Sequence, residues 1–460
     1  MALVLLNAVV RFLFIGLNEL AHDEPFTVFQ AHRSLTALWE MLRSENNPPL
    51  YFLLIKCWLP VAGHDAAWLR LPSAMASALT VWPLFLTAAR MGNMRIGWTA
   101  ALLFTFSSFE QGFAHEVRAY SLLQLLGAAT IWQVVRHALG AAHQATIGAR
   151  TIGWAILLNI MLVYTHFFGW LIIGIQALAV LLLPSLHPAR RMFLKVFLAT
   201  CLSYLPYGLI FLERATSSIG QGTWLTVPEP EEMYNMVWRF SNAPVTAVVF
   251  LGVAVLTVAR SRTRSDGYML GLIWGLLPLP LLFLVSQWVP VFLDRYLSFA
   301  APGFFMLVSF ALNNAFSWTW ARIALPMAGI LGMAITFSPD RPSEYQPSLV
   351  VAVSQTMAKQ DGQVLIVPHW YKYTYAWHTD PELFEEPEEL DKDLARIGIL
   401  PLADRSQLSI DPGVRSTVVL VDAGAALVGL EEVEKDLRGS YPEEDRIEAG
   451  RNVVITRFRR

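Results

Sequence analysis

The chain has 460 residues, of which 55% are hydrophobic and only 15% charged, and its mean hydropathy is +0.45. Soluble domains carry about a quarter charged residues, so a purely water-soluble fold is excluded. A net charge of −2, with no basic tail or stripe, argues against nucleic acid as a partner.

Apolar blocks of about 17–22 residues, the length that crosses a hydrocarbon core, predict about eleven transmembrane helices. They fall near 3–20, 68–89, 96–112, 119–136, 151–165, 167–184, 192–212, 244–259, 268–286, 297–314 and 320–337. The first has no basic start and no small-residue cleavage site, so it is expected to be a retained span rather than a signal peptide. The long run from 151 to 184 is divided at Thr165-His166, where polar residues interrupt it. Residues 21–67 form a large first outer loop. Within it, the apolar stretch from Pro49 to Trp58 is too short to span and is expected to lie in the interface, with Tyr51 and Trp58 at headgroup level. Cys57 and Cys201 sit far apart in apolar stretches and read as small buried hydrophobes rather than a disulfide.

Ahead of helix 244–259, residues 216–242 hold Pro228-Glu229-Pro230 and an amphipathic stretch from 233 to 240, which reads equally as a mobile cover or a surface helix. From Ser338 onward the composition becomes that of a soluble domain. Short β-branched runs at 363–367, 417–421 and 453–456 read as strands, and 349–359 and 425–437 have helical spacing. The fold class is therefore a polytopic α-helical membrane protein, with a membrane domain over 1–338 and an extracytoplasmic α/β domain over 339–460. Internal repeats, GxGxxG and Walker loops and Cys/His metal patterns do not occur in the sequence. A nucleotide-sugar enzyme of the soluble kind would have nowhere to hold its nucleotide.

Orientation follows from the basic residues. One alternating set of loops holds Arg90, Arg95, Arg136, Arg150, Arg190, Arg191, Lys195, Arg260, Arg262, Arg264 and Arg322, with Asp266 its only acid. The other set holds Asp23, Glu24, Glu40, Glu45, Asp65, Glu116, Glu213, Glu229, Glu231, Glu232 and Asp294. The first set is expected in the cytoplasm, which puts the amino terminus inside and the carboxyl-terminal domain outside, in the cell (inner) membrane.

Ionisable residues at membrane depth are costly, and here they gather at the outer ends of the spans. Asp23-Glu24 follows the first span and Asn46-Asn47-Pro48-Pro49-Leu50-Tyr51 enters the interfacial helix. Arg70-Leu71-Pro72-Ser73 opens the second span, and Glu116-Val117-Arg118-Ala119-Tyr120 joins the third to the fourth. Tyr164-Thr165-His166 closes the fifth, and Asp294-Arg295-Tyr296 opens the tenth. Glycosyl transfer from a polyprenyl phosphate needs this set: a carboxylate to take the acceptor hydroxyl's proton and cations to hold the phosphate as charge develops on it. The phosphate is already a weak base, so no acid has to protonate it. A glycosidase, by contrast, normally needs two carboxylates. The reaction requires no cofactor, and the clustered carboxylates would admit a divalent metal ion.

These motifs, in this order, resemble the dolichyl-phosphate-mannose protein mannosyltransferase superfamily, glycosyltransferase family 39 and its bacterial relatives, with the GT-C fold. The resemblance covers about the first 340 residues and is strongest from Asp23 to Leu126. It implies a large first outer loop with juxtamembrane helices, and inversion at the anomeric carbon. Asp23 matches the acidic residue that activates the acceptor, with Glu24 beside it. Arg118 matches the outer-loop arginine that meets the lipid phosphate. Arg70 and Arg295 are further candidates for the donor phosphate, and Tyr51, Glu116, Tyr120 and His166 for substrate contacts. The expected partners are a polyprenyl-phosphate sugar donor, the lipid bilayer and an outer acceptor of unknown identity. Two other readings stand beside this one. A transporter or lipid-carrier flippase would account for Arg11 inside the first span, and a non-catalytic assembly or sensor protein would display the outer domain.

Overall fold

The structure is a computed structural model. It describes residues 1–460 except 43–46, 141–147, 222–224, 261–264, 341–344, 360–361, 404, 409–415, 425–429 and 451–452. Glu45, Asn46, Arg262, Arg264 and the first residues of the expected helix 425–437 lie outside the described residues. The chain divides into two compact units. The first comprises Met1–Ile15, Trp39–Tyr51 and Arg70–Asp340, and the second Gly16–Leu38, Phe52–Leu69 and Arg341–Arg460.

The first unit is helical. Among the described residues, the helical stretches Ala66–Met91, Pro184–Ile210, Asp266–Val285 and Arg295–Asn314 are long and apolar enough to cross a bilayer, and the bent pair Glu231–Phe240 and Pro244–Arg260 makes a fifth if counted as one span. Shorter apolar helices, Ala2–Phe12, Ala149–Thr165, Gly169–Leu182 and Ala321–Ile335, belong to the same unit. The chain is a helical membrane protein.

The expected first span, 3–20, is corrected: its helix runs only from Ala2 to Phe12, and Phe14 takes a left-handed φ of 61°. Helix-end carbonyls need donors, and here side chains supply them. Gln111 Nε2 donates to the carbonyls of Val10 (3.1 Å) and Leu13 (3.3 Å). His115 Nε2 donates to that of Arg11 (2.9 Å). With those carbonyls taken, a further helical turn has no advantage. The expected span 96–112 is likewise two helices, Met94–Thr105 and Ser108–Ala114. The break falls at Ser107, whose hydroxyl caps the second helix by accepting from Glu110 N–H.

Close helix packing centres on a glycine stripe. Gly267, Gly271 and Gly275 recur every fourth residue in the helix Asp266–Gly275, which lies against Ala301–Asn314. A Cβ placed on Gly271 would come 2.7 Å from Leu307 N, and one on Gly275 would collide with the backbone of Gly303 and Phe304. Small residues at such spacing let helix backbones approach where lipid offers no hydrophobic drive.

The second unit holds a five-stranded sheet with strands β1 (Gln363–Val367), β2 (Ile399–Pro401), β3 (Thr417–Asp422), β4 (Glu443–Glu448) and β5 (Val454–Arg459) in the order β2-β1-β3-β5-β4. β1 runs parallel to β2 and β3, whereas β5 is antiparallel to β3 and β4. Leu365, Val418, Leu420 and Phe458 form its core with Val433 and Leu437 of the helix Leu430–Ser440. β4 is exposed along its whole length and charged at every position but Ile447, as suits an edge strand. The same unit contains the helix Glu24–His32 and, from Phe52 onward, the helix Leu50–Ala62. Lys56 Nζ ties them together through the carbonyls of Ala31 (3.1 Å) and Arg33 (2.7 Å), a cation closing a helix carboxyl end.

Candidate functional site

In the first unit the expected residues come together around the loop that joins helix Ser108–Ala114 to helix Tyr120–Leu139. Ser73 Oγ donates to the Arg118 carbonyl (3.1 Å). Its proton is thereby committed, so Tyr51 is the donor in the 2.6 Å contact with Ser73 Oγ. Tyr51 is only 3% exposed, and its hydroxyl acts on the Arg118 loop rather than on lipid headgroups. The Arg118 guanidinium lies 5.9 Å from the centre of the Tyr120 ring. That ring is 5.8 Å from His166, which is in turn 5.9 Å from Tyr296. Arg295, beside Tyr296, begins a short 3-10 turn whose first N–H is taken by Asp294 (2.7 Å). Asp294 also faces Arg239 of the amphipathic helix Glu231–Phe240 at 3.8 Å. Arg70 is buried and donates to the Ile15 carbonyl (3.1 Å). Glu116 is half-buried in the same loop as Arg118.

His166 stands between the helices Ala149–Thr165 and Gly169–Leu182. Burial first, and then the Arg118 charge, push its pKa down to about 3. The Phe168 N–H donates to Nδ1 (3.2 Å), so the imidazole is neutral, with its proton on Nε2. It stands near Arg118 and Tyr120 without adding positive charge.

Asp23 and Glu24 belong to the second unit. Glu24 opens the helix Glu24–His32 and is buried; its Oε2 accepts from Ala21 N–H (3.2 Å) and closes the turn. Asp23 is half-buried, and its backbone carbonyl accepts from the N–H (3.2 Å) and hydroxyl (3.1 Å) of Thr27. The two neighbours thus differ in burial: Glu24 is buried and closes the turn, whereas Asp23 is half-buried. The aromatic run after β1 packs inside this unit. Tyr373 lies 5.3 Å from Phe26 and 4.7 Å from Phe29, and Tyr371 bonds Tyr345 through their hydroxyls (2.5 Å). Among the described residues no three His, Cys, Asp or Glu side chains come together as a metal-ligand set.

Sequence reasoning missed the polar network buried in the first unit. Arg11, fully buried, donates to Ser77 Oγ (3.0 Å), Gln111 Oε1 (2.9 Å) and the Phe104 carbonyl (2.7 Å). Gln124 Nε2 donates to Glu110 Oε1 (3.3 Å) and the Ser298 carbonyl (3.1 Å). The signal was present as Arg11 and Glu110-Gln111 in apolar surroundings, but the side-chain partners of Arg11 are 66 and 100 residues away in sequence, and Ser298 is 174 residues from Gln124.

No protein-family profile and no curated protein sequence matches the chain. Solved structures do resemble it. ArnT from Cupriavidus metallidurans bound to undecaprenyl phosphate is 12% identical, with a TM-score of 0.60 over 99% of this chain and 97% of that one. The same protein in the apo state gives the same values. The Archaeoglobus fulgidus oligosaccharyltransferase in complex with Zn and sulfate is 12% identical, with a TM-score of 0.53 over 92% of this chain and 68% of that one. At such identity the likeness speaks for architecture, and it extends through both units. The chain has the GT-C fold.

Proposed function

We propose that this protein is an integral membrane glycosyltransferase that moves a sugar from a polyprenyl-phosphate carrier to an acceptor on the outer side of the membrane. The observation that carries this reading is the likeness over 99% of the chain to ArnT, a structure bound to undecaprenyl phosphate. The site chemistry supports it. Asp23 takes the proton of the acceptor hydroxyl as the new bond forms at the anomeric carbon. The polyprenyl phosphate departs from the opposite face of the sugar, so a single displacement inverts the centre. Arg118, with Arg70 or Arg295, meets the phosphate charge in the low-dielectric interface. Tyr51 and Ser73 hold the Arg118 loop, while Glu116, Tyr120 and His166 shape the space beside it. Guanidinium groups supply the positive charge, so the chemistry requires no metal, although Asp23 and Glu24 would accept a divalent ion. The reading includes about eleven spans, a cytoplasmic amino terminus and both Asp23 and the α/β domain outside. The acceptor is a lipid, glycan or protein. Arg11 lends no support to transport, because its guanidinium is bonded to three helices.

The test uses the purified chain in lipid nanodiscs with a panel of radiolabelled undecaprenyl-phosphate sugars and membrane extract as acceptor. Release of undecaprenyl phosphate from one donor, reduced at least about a hundredfold in Asp23→Asn, is the expected outcome. Full release by a folded Asp23→Asn protein would remove the base assignment. Absence of release from every donor, with transport of carrier across liposomes, would replace the enzyme with a flippase.

A further inference from the structure

The segment that leads into Asp23 is neither helix nor strand, yet its carbonyls are bonded one after another. Leu20 accepts from His378 Nε2 (2.7 Å) and Ala21 from Glu24 N–H (3.1 Å). His22 accepts from Thr374 Oγ1 (3.2 Å), and Asp23 from Thr27. Two of these donors are local. The other two come from the helix Lys372–Thr379, about 350 residues later in sequence. Thr374 and His378 are four apart, hence on one face of that helix with a rise of about 6 Å. Two residues of open chain cover about 6.6 Å, so the pair of donors fits alternate carbonyls.

The upstream residue is clamped as well. The Glu19 carboxylate accepts from Ser348 N–H (3.0 Å) and Ser348 Oγ (2.6 Å), at the amino end of the helix Pro347–Ala358, where a negative charge is favoured. His378 Nδ1 lies 3.9 Å from the same carboxylate. His22 is held at a left-handed φ of 53° with its ring 5.6 Å from Tyr345. A non-glycine residue keeps that conformation only where its surroundings enforce it.

We propose that Thr374 and His378, assisted by Ser348, are positioning residues: the carboxyl-terminal α/β domain is a clamp that fixes the backbone from Glu19 to Glu24 and so aims the Asp23 carboxylate. The clamp is a statement about the backbone; its consequence for turnover rests on the reading of Asp23 as base. Both are tested on the full chain in nanodiscs, with Thr374→Val and His378→Phe, which keep side-chain shape while removing the donors, and with Thr374→Ser and His378→Gln, which restore them. In the double variant Thr374→Val/His378→Phe, amide hydrogen exchange across residues 19–27 should accelerate about tenfold or more, with the helix Tyr120–Leu139 unchanged. Transfer from the active undecaprenyl-phosphate sugar should lose about tenfold or more in kcat, with the donor KM within about twofold. The Ser and Gln variants should recover most of both. Unchanged exchange in the double variant, or an equal loss in the Ser and Gln variants, would overturn the clamp. Transfer that survives Asp23→Asn would instead strike the base assignment, and the exchange measurement would still decide the clamp.

Discussion

A buried imidazole beside a guanidinium has few protonation states open to it. His166 is held neutral by burial and by Arg118, so in an unfolded chain, where its pKa is about 6.5, it binds a proton that the folded chain refuses. The sign follows: the unfolded state gains protons as pH falls below about 6.5, and stability therefore declines towards pH 3. The slope from this residue approaches about 1.4 kcal/mol per pH unit. Thermal unfolding of the wild type between pH 7 and 4.5 should steepen accordingly, and His166→Gln should remove that share of the slope. An identical slope in the variant would show that the imidazole is solvated. Much at this scale was legible in the sequence. Tyr51, Arg118, Tyr120 and His166 stand near the expected outer ends of spans, and the structure brings them together around the Arg118 loop. The relay from Tyr51 through Ser73 to the Arg118 carbonyl was not legible, since which carbonyl a hydroxyl meets depends on packing rather than on local pattern. That Glu24 closes a turn through the Ala21 N–H was hidden for the same reason.

Secondary structure here is punctuated by polar side chains as much as by glycine and proline. Hydropathy located the apolar blocks, but it cannot see that Gln111 and His115 end the first helix by taking its carbonyls, or that Ser107 starts a new one. The strands show the same division. β1 and β3 are largely apolar, β5 opens on a β-branched run, and all three were expected, whereas β2 has three residues and β4 is the mostly charged run EEDRIE, which an apolar criterion passes over. The glycine stripe also lay in plain view as Gly267, Gly271 and Gly275, yet only the facing helix gives it meaning. Gly275→Ala should destabilise the protein by roughly 1–3 kcal/mol through overpacking against Gly303 and Phe304. Gly153 is the control, because a Cβ there meets nothing within 4 Å, and Gly153→Ala in a helix should be neutral or stabilising. Comparable melting temperatures for the two variants would show that the close approach is relaxed in the bilayer.

Across the whole molecule, the boundary between units does not follow the boundary between hydrophobic and soluble sequence. The residues Gly16–Leu38 and Phe52–Leu69 group with Arg341–Arg460, so the loop bearing Asp23 folds with sequence far downstream. A chain ending at Asp340 keeps Arg70, Arg118 and Arg295 but lacks Ser348, Thr374 and His378. It should still bind undecaprenyl phosphate while losing at least about tenfold in transfer. Full transfer by such a chain would mean that the first unit alone orders the Asp23 loop. The arrangement also sets a timetable for biosynthesis. When the loop bearing Asp23 emerges from the ribosome, its clamp is still roughly 300 residues from being made, an interval of roughly 15–60 s at ordinary elongation rates. During that time the carbonyls of Leu20 and His22 lack their donors His378 and Thr374, so on the proposed reading a nascent chain cannot yet aim its carboxylate, and activity waits for the helix Lys372–Thr379 to be made and to close on the Asp23 loop.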